Sequence, residues 1–566
     1  MEKQYRPWLP RHPHMLPPSP EEWLPEGHLA YFVLDVVEQL DLTPINEAIR
    51  GKDRRGTRPY HPTMMVALLL FAYCRGVPSS RKIERATFED MGTRVIAAGE
   101  HPDHTRISEF RRENLKALAA LFVQVLRLCQ AAGLVKLGHV ALDGTKVSAN
   151  ASKHKAMSHE RMCKTEEELT AEVEALLRQA QEIDEAEDKL YGKNKRGDEL
   201  PEELARREKR LGVIRRAKAA LKAEAAAARA RELEQRAEDA RNAATTAEAA
   251  AREKAQSRVE QAETAASKAA DKAIETAEAA GMPVPDLLPR DPEDLPSHQV
   301  RTDCDGNPDP KAQRNFTDPD SRIMKLGGDY VQGYNCQASV DEHSQVIVAQ
   351  AVTNEPPDPE HLIPVMILLA CECGMLPGVL TADNGYFSDA NAAWCAEWGI
   401  DAYLATGRLP HGAAALPDGR RESPAKAAMR EKLSTAQGRQ TYSRRKAIVE
   451  PVFGQIKDAR GLDRFLLRGL AKVRGEWSLM CTTHNLLKLY RRKGAPSRMP
   501  GRHATTTPRT DATVPHRHAT TAQRRSPVRL SACPERSRGL RRLRYRTATS
   551  SRLPDCRSSK LSATGS

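Results

Sequence analysis

The first part of the chain has apolar residues at helical spacing. Apolar positions recur three and four residues apart in HLAYFVLDVVEQL, in PTMMVALLLFAY and in LKALAALFVQVLRLCQAAG. Pro62 and Gly133 are placed to punctuate these helices. We therefore expect residues 28–130 to be helical.

A polar, basic stretch, HTRISEFRREN, lies between the last two of these helical regions. Two interpretations stay open. In one, the charges are the solvated side of an ordinary helical bundle. In the other, they belong to a DNA-end-binding domain in which Arg106, Arg111 and Arg112 contact phosphates.

Strand patterns begin at GHVALDGTKVSAN (138–150), which alternates and is rich in β-branched residues. Further strands are predicted at 329–341, 345–353, 378–387 and in IDAYLAT, with helices at PEHLIPVMILLACECG, at DANAAWCAEWG and around RRKAIVEPVFGQIKDA. With the segment between the first two strands set aside, this is the element order of an RNase H-like domain. The predicted fold class is α/β (α+β): an RNase H-like mixed sheet flanked by helices, with an all-α N-terminal domain and a long coiled-coil insertion.

The insertion, from about residue 165 to 280, is dominated by Ala, Glu, Lys and Arg. Thr165 and Glu168 have the spacing of a capping box. The polar stretch YGKNKRGDELP, with Pro201 placed like a first-turn proline, would separate a shorter arm from a longer one. We therefore predict a helical hairpin, which either assembles two subunits across paired DNA ends or is a solvated spacer. The apolar positions at coiled-coil spacing are Leu169, Val173, Leu176, Ala180, Ile183 and Leu190.

Charge is distributed unevenly along the chain. The net charge is +13, but from Arg491 onward 19 Lys and Arg stand against 3 Asp and Glu. The preceding 490 residues are therefore slightly acidic, and a DNA-binding argument for them depends on specific residues. The sequence lacks an apolar run long enough to span a bilayer, a secretory signal and the usual zinc-ligand spacing. We expect a cytoplasmic, nucleoid-associated protein.

Three carboxylates fall where a metal site can use them. Asp143 lies within a predicted strand, Asp383 at the carboxyl end of another strand, and Glu450 on a late helix. Two Mg²⁺ (or Mn²⁺) ions held by such a set catalyse in-line phosphoryl displacement. Without the fold, the simpler alternative is that these are ordinary charged residues among the 75 acidic ones.

The segments around these carboxylates, ALDGTKVSANAS, TADNGYFS and YSRRKAIVEPVFGQIK, resemble the catalytic segments of bacterial insertion-sequence DDE transposases. The resemblance implies that Asp143, Asp383 and Glu450 are the catalytic, metal-binding triad. The third segment is similar to the Tyr-Arg-Glu-Lys signature of one transposase group through Tyr442, Glu450 and Lys457.

The signature's middle basic residue departs from the pattern. Lys446 stands at the expected distance from Glu450, Arg445 is its neighbour, and Tyr442 is one residue too far away. The resemblance assigns the phosphate contact to Lys446 or Arg445.

The resemblance covers roughly residues 15–490, including YHPTMMVALLLFAYCRGVPSSRKIE, NFTDPDSRIMK, GYNCQASVD and THNLLKLYR. It implies that the helical N-terminal domain binds DNA. The expected organisation is a DNA-binding domain at 1–135, the first catalytic strand at 136–153, the helical insertion at 154–300, the rest of the catalytic domain at 301–490, and a basic disordered tail at 491–566.

The activity implied by the resemblance is Mg²⁺-dependent cleavage and strand transfer of DNA. The implied partners are the terminal inverted repeats of the element and the target DNA, and the implied assembly in the DNA complex is a homodimer. Two alternatives stay open: an RNase H-like nuclease without strand transfer, and a catalytically inactive coiled-coil protein that binds DNA.

Overall fold

The computed structural model describes residues 19–50, 59–191, 202–246, 251–407 and 422–492. The predicted arm break at YGKNKRGDELP, apart from Tyr191, and the basic tail beyond Arg492 lie outside these ranges. Within them, no helix is both long enough and apolar enough to cross a membrane.

Seven helices form the N-terminal part of the described chain, as the apolar spacing predicts. Pro62 occupies the first turn of the third helix, where a missing N–H costs nothing. Asp103 caps the sixth, because its carboxylate accepts the backbone N–H groups of Thr105 and Arg106. The helices are α1 (Leu29–Val37), α2 (Thr43–Arg50), α3 (Pro62–Cys74), α4 (Ser80–Glu89), α5 (Met91–Ile96), α6 (His104–Glu113) and α7 (Leu115–Ala131).

The first long strand is followed by the helical insertion. The elements are β1 (His139–Ser148), β2 (Ala156–Ser158), α8 (His159–Tyr191), α9 (Glu202–Thr246), α10 (Arg252–Ala279) and β3 (Gln313–Asn315). The short strands β2 and β3 pair antiparallel at the base of the insertion. The insertion is therefore helical, as predicted, but it has three helices where a two-armed hairpin was expected.

The central helix α9 packs against a different partner in each half. Arg207 pairs with Glu172 and Lys218 with Glu166, so α8 runs antiparallel to the first half. Arg241 pairs with Glu263, and Ala230 packs with Ala273, so α10 runs antiparallel to the second half.

The base of the insertion is held near the middle of α9. There Glu224 forms ion pairs with Arg314 of β3 and with Arg322. The predicted capping box is wrong, because α8 begins at His159 and Thr165 therefore lies inside the helix.

The remaining strands complete a mixed sheet: β4 (Arg322–Leu326), β5 (Asp329–Asp341), β6 (Ile347–Thr353), β7 (Val379–Ala382) and β8 (Asp401–Leu404). The strand order is β6-β5-β1-β7-β8, with β4 pairing to the start of β5. β1 is antiparallel to β5 and parallel to β7, and β7 is parallel to β8. This is the RNase H-like arrangement that the element order predicts.

Five helices follow within this part of the chain: α11 (Leu362–Cys373), α12 (Asp389–Glu397), α13 (Pro424–Ser434), α14 (Ala436–Gly454) and α15 (Leu470–Arg492). A π-helical turn, Gln455–Ala459, continues α14. One hydrophobic core contains residues of α1–α7, of the sheet and of α14 and α15. The domain boundaries given above stay predictions.

Candidate active site

Two of the predicted carboxylates lie side by side at neighbouring strands. In the parallel pair of β1 and β7, Leu142 is opposite Ala382. Asp143 follows Leu142 in β1, Asp383 follows Ala382 directly after β7, and adjacent strands lie about 4.8 Å apart. Alternation of side chains along strands therefore places both carboxylates at one position on one face of the sheet.

Asp143 is largely buried within the described part of the chain. Burial raises the pKa of its carboxyl to about 6; the nearby Arg445 guanidinium lowers it, and the Asp383 carboxylate raises it further. The effect of Asp383 on the pKa of Asp143 agrees with the closeness of the two carboxylates. Asp143 Oδ1 accepts the Gly144 N–H at 2.9 Å.

Asp383 begins a short turn at the end of β7. Its Oδ1 accepts the Gly385 N–H at 2.9 Å, which fixes the carboxylate at the carboxyl end of the strand. The sequence TADNGYF forms this turn because a short polar side chain can bond to the backbone two residues on. Its other carboxylate oxygen accepts no hydrogen bond from the described residues, so it is open to a ligand.

The helix α14 lies over the carboxylates and presents Arg445 to them. Arg445 Nη1 donates to Asp143 Oδ2 at 2.9 Å, and both side chains are nearly buried. Tyr442 lies in the same group: burial raises the pKa of its phenol, Arg445 lowers it, and the charges of Asp383 and Asp143 raise it. Of the two basic candidates in the signature, the structure therefore directs Arg445 at the carboxylates.

Lys446 is exposed on the outer side of α14, since a step of one residue rotates the side chain by about 100° on a helix. The Glu450 side chain is also exposed and forms no hydrogen bond or ion pair with another described residue. Lys457 lies in the π-helical turn, where its Nζ donates to Thr145 Oγ1 at 3.2 Å and to the Lys146 carbonyl at 3.3 Å. It thus returns to the strand that carries Asp143.

A second polar layer, which the sequence reasoning missed, supports the site. Asp358 Oδ1 accepts Lys146 Nζ at 3.2 Å, Asn335 Nδ2 at 2.8 Å and Gln337 Nε2 at 3.0 Å. Gln337 also accepts the hydroxyl of buried Tyr386. In the sequence, the acidic stretch NEPPDPEH after a strand is the one pattern that points to this layer. The other residues of the layer are scattered along the chain.

The three arginines predicted to contact DNA in the N-terminal part have different environments. Arg106 and Arg112 are exposed on α6, with Arg106 3.4 Å from Glu109. Arg111 is buried, and its Nη1 donates to Tyr73 Oη at 3.0 Å and to the Pro78 carbonyl at 2.7 Å. The expectation that Arg111 meets phosphates is corrected, because its guanidinium is committed to the protein core.

The donor chemistry at the site fits a hard divalent cation. Carboxylate oxygens are the ligands that Mg²⁺ prefers, and Asp143 and Asp383 present them together. Among the described residues, however, no three His, Cys, Asp or Glu side chains are grouped closely enough to hold an ion. The structure therefore does not bring the Glu450 carboxylate into one group with Asp143 and Asp383.

Two family models match the chain. The model described as "Transposase DDE domain" matches residues 418–490, which include Tyr442, Arg445 and Glu450. The model described as "Transposase domain (DUF772)" matches residues 18–113, which include all of α1–α6. Searches of curated proteins and of solved structures gave no match.

Proposed function

We propose that this chain cleaves the ends of its element and transfers the strands to target DNA. The premise is that the two family matches support an insertion-sequence DDE transposase. The observation that carries the proposal is the adjacency of Asp143 and Asp383 at two parallel strands beneath Arg445. The DDE family match begins after both aspartates, so the strand register is an independent argument for this site.

The residues have separate roles in this proposal. Asp143 and Asp383 hold the divalent cations, Mg²⁺ or Mn²⁺, and Glu450 supplies the third carboxylate. Bound cations of this kind activate an attacking hydroxyl and stabilise a leaving oxygen. In this proposal Arg445, Tyr442 and Lys457 position a phosphate group. The support is that Arg445 contacts Asp143 and that Lys457 contacts the strand that carries Asp143.

The test is cleavage of duplex DNA that carries the element end. Asp143→Asn and Asp383→Asn each keep size and remove the anionic ligand, so we expect cleavage to fall by at least about a thousandfold, or some 4 kcal/mol of transition-state stabilisation. End binding, measured by gel shift, should stay. The matched control is Asp271→Asn on the exposed surface of α10, which should cleave normally.

The role of Glu450 is tested against that of Asp358. We expect Glu450→Gln to abolish cleavage and Asp358→Asn to weaken it, since Asp358 already accepts three side-chain donors. An active Glu450→Gln protein would remove Glu450 from the ligand set. If the Asp143→Asn protein cleaves at the wild-type rate, this site is not the catalytic one.

Joined products distinguish transposition from simple hydrolysis. A transposase uses the freed 3′-hydroxyl of the element end as the next nucleophile, whereas a nuclease uses water alone. With labelled end DNA and a supercoiled target plasmid, we expect covalent end–plasmid products that Asp383→Asn does not form. Cleavage without any such product would favour the nuclease.

A further inference from the structure

A depression of about 540 Å³ lies between the end of α15 and the turn that precedes β1. Four cationic side chains line it: Lys136 before β1, and Lys488, Arg491 and Arg492 on α15. The imidazole of His343, from the turn between β5 and β6, completes the wall. No carboxylate is among the described residues that line it, so this is a concentration of uncompensated positive charge.

The neighbouring carboxylates are already engaged. Asp341 accepts the backbone N–H groups of Lys136 and Leu137 through Oδ2, at 3.2 and 2.7 Å. Glu342 pairs with Arg444 at 2.5 Å and with His139 at 3.5 Å. Among the described residues, neither acid forms an ion pair with the four cations of the depression.

Lys488 shows the electrostatic cost of this arrangement. Burial lowers the pKa of its ammonium to about 8, with the nearby Arg491 charge acting in the same direction. Within the described part of the chain, its Nζ donates one hydrogen bond, to Gln345 Oε1 at 2.8 Å. An ammonium has three donors, so two N–H groups are available to an anion.

The ordinary explanation for cations at the end of α15 is that they offset the negative end of the helix dipole. That explanation does not extend to Lys136, which belongs to another element. Arg492 also reaches across to the turn before β1, where a Cβ added at Gly133 would lie 3.6 Å from Arg492 Nη1. Gly133 has φ +69°, so the turn both needs glycine and leaves room for the guanidinium.

We propose that this depression binds the phosphate backbone of DNA. The inference rests on the proposed function, which supplies DNA as the partner. Four cations without acids match phosphodiester oxygens, and Arg and Lys are the usual residues for such contacts. The site is distinct from the candidate active site, because its lining residues include none of the residues grouped around Asp143 and Asp383.

The test is lysine acetylation of the full chain, followed by mass spectrometry, with and without a long duplex DNA that carries the element end. We expect bound DNA to slow the labelling of Lys136 and Lys488 several-fold. Lys254 and Lys268, exposed on α10, are the matched controls and should label equally in both states. Equal labelling of Lys136 and Lys488 in a demonstrated complex overturns the site and leaves the proposed function standing. A chain that binds no DNA overturns both.

Charge removal gives a second readout. We expect the pair Lys136→Gln and Arg491→Gln to reduce the slope of log affinity against log salt by about one unit for each phosphate that the variant no longer neutralises. The pair Lys254→Gln and Lys268→Gln should leave the slope unchanged. Hydrogen exchange of α15, compared between the Lys136/Arg491 variant and the wild type, shows whether the helix stays folded. An unchanged slope in a Lys136/Arg491 variant with native exchange overturns the proposal.

Discussion

At the scale of single residues, Asp143 depends on Arg445 for charge balance. Burial raises the pKa of Asp143 to about 6, and the guanidinium opposes that effect. Burial is the largest single influence on the pKa of Arg445 and lowers it, but Asp143, Tyr442 and Asp383 together raise that pKa above its usual value. Each group therefore stabilises the charged form of the other.

We predict that Arg445→Gln lowers the free energy of unfolding by about 1–3 kcal/mol, because it leaves a mostly buried carboxylate without its cation. Lys446→Gln, one residue along and exposed, is the control and should change stability little. Urea unfolding of the three proteins measures the difference. An equal effect in both variants would mean that the Asp143–Arg445 contact contributes nothing specific.

A buried glutamate in α11 makes stability depend on pH. Burial raises the pKa of Glu372 to about 8, and its Oε2 has no hydrogen-bond partner among the described residues. Between about pH 4.5 and 8 the unfolded chain loses this proton while the folded protein keeps it, so stability falls as pH rises.

We predict that Glu372→Gln removes this part of the pH dependence. The gap between variant and wild type should move in favour of the variant from pH 5 to pH 8, by at most about 1.4 kcal/mol per pH unit. Thermal unfolding at the two pH values measures it. A constant gap would show that Glu372 ionises normally in the folded protein.

The acidic residues of the candidate site are easier to predict from the sequence than their surroundings. Asp143 and Asp383 were predictable because each follows or interrupts a strand pattern. The choice between Arg445 and Lys446 was not, because it depends on the rotation of α14 about its axis. Asp358 and Tyr386 join the site only through the sheet register, which a linear pattern does not contain.

At the scale of elements, close helix packing depends on particular glycines. A Cβ at Gly475 of α15 would lie 2.4 Å from Leu115 Cγ of α7. A Cβ at Gly212 of α9 would meet nothing within 4 Å. The same substitution should therefore have opposite effects in the two helices.

We predict that Gly475→Ala destabilises the protein by about 1–3 kcal/mol, since Leu115 must move out of a packed interface. Gly212→Ala should stabilise α9 by up to about 1 kcal/mol, because alanine loses less backbone entropy in a helix. Chemical unfolding together with hydrogen exchange of each helix tests the pair. Stabilisation by Gly475→Ala would show that the interface has room for a methyl group.

The long strands were predictable from alternation, whereas the division of the insertion was not. Residues 202–280 contain no proline and only Gly212, so nothing in the sequence marks the end of α9 near Thr246. The strands β2 and β3 have three residues each, too few for a pattern. Their pairing depends on residues more than 150 positions apart.

At the scale of the whole molecule, the N-terminal helices and the sheet share one hydrophobic core. A polar junction reinforces it. Buried Glu476 of α15 accepts Tyr73 Oη and the N–H groups of Leu466 and Leu467. Because Arg111 also donates to Tyr73, α3, α6 and α15 meet at this hydroxyl.

We predict that α3 and α15 open together. Tyr73→Phe removes the shared hydroxyl and should lower stability by about 1–2 kcal/mol. Hydrogen exchange with mass spectrometry should show equal acceleration in peptides from both helices. Tyr31→Phe, at a more exposed hydroxyl, is the control. Faster exchange in α3 alone would mean that the N-terminal helices unfold as a separate unit.

The attachment of α9 at its midpoint has a mechanical consequence. The helix has 45 residues, about 67 Å at 1.5 Å per residue, and Glu224 lies at its centre. Its ion pairs with Arg314 and Arg322 fix the helix at this point, while α8 packs against the first half of α9 and α10 against the second half. We therefore expect a displacement that a bound partner imposes on one end of α9 to move the other end in the opposite direction.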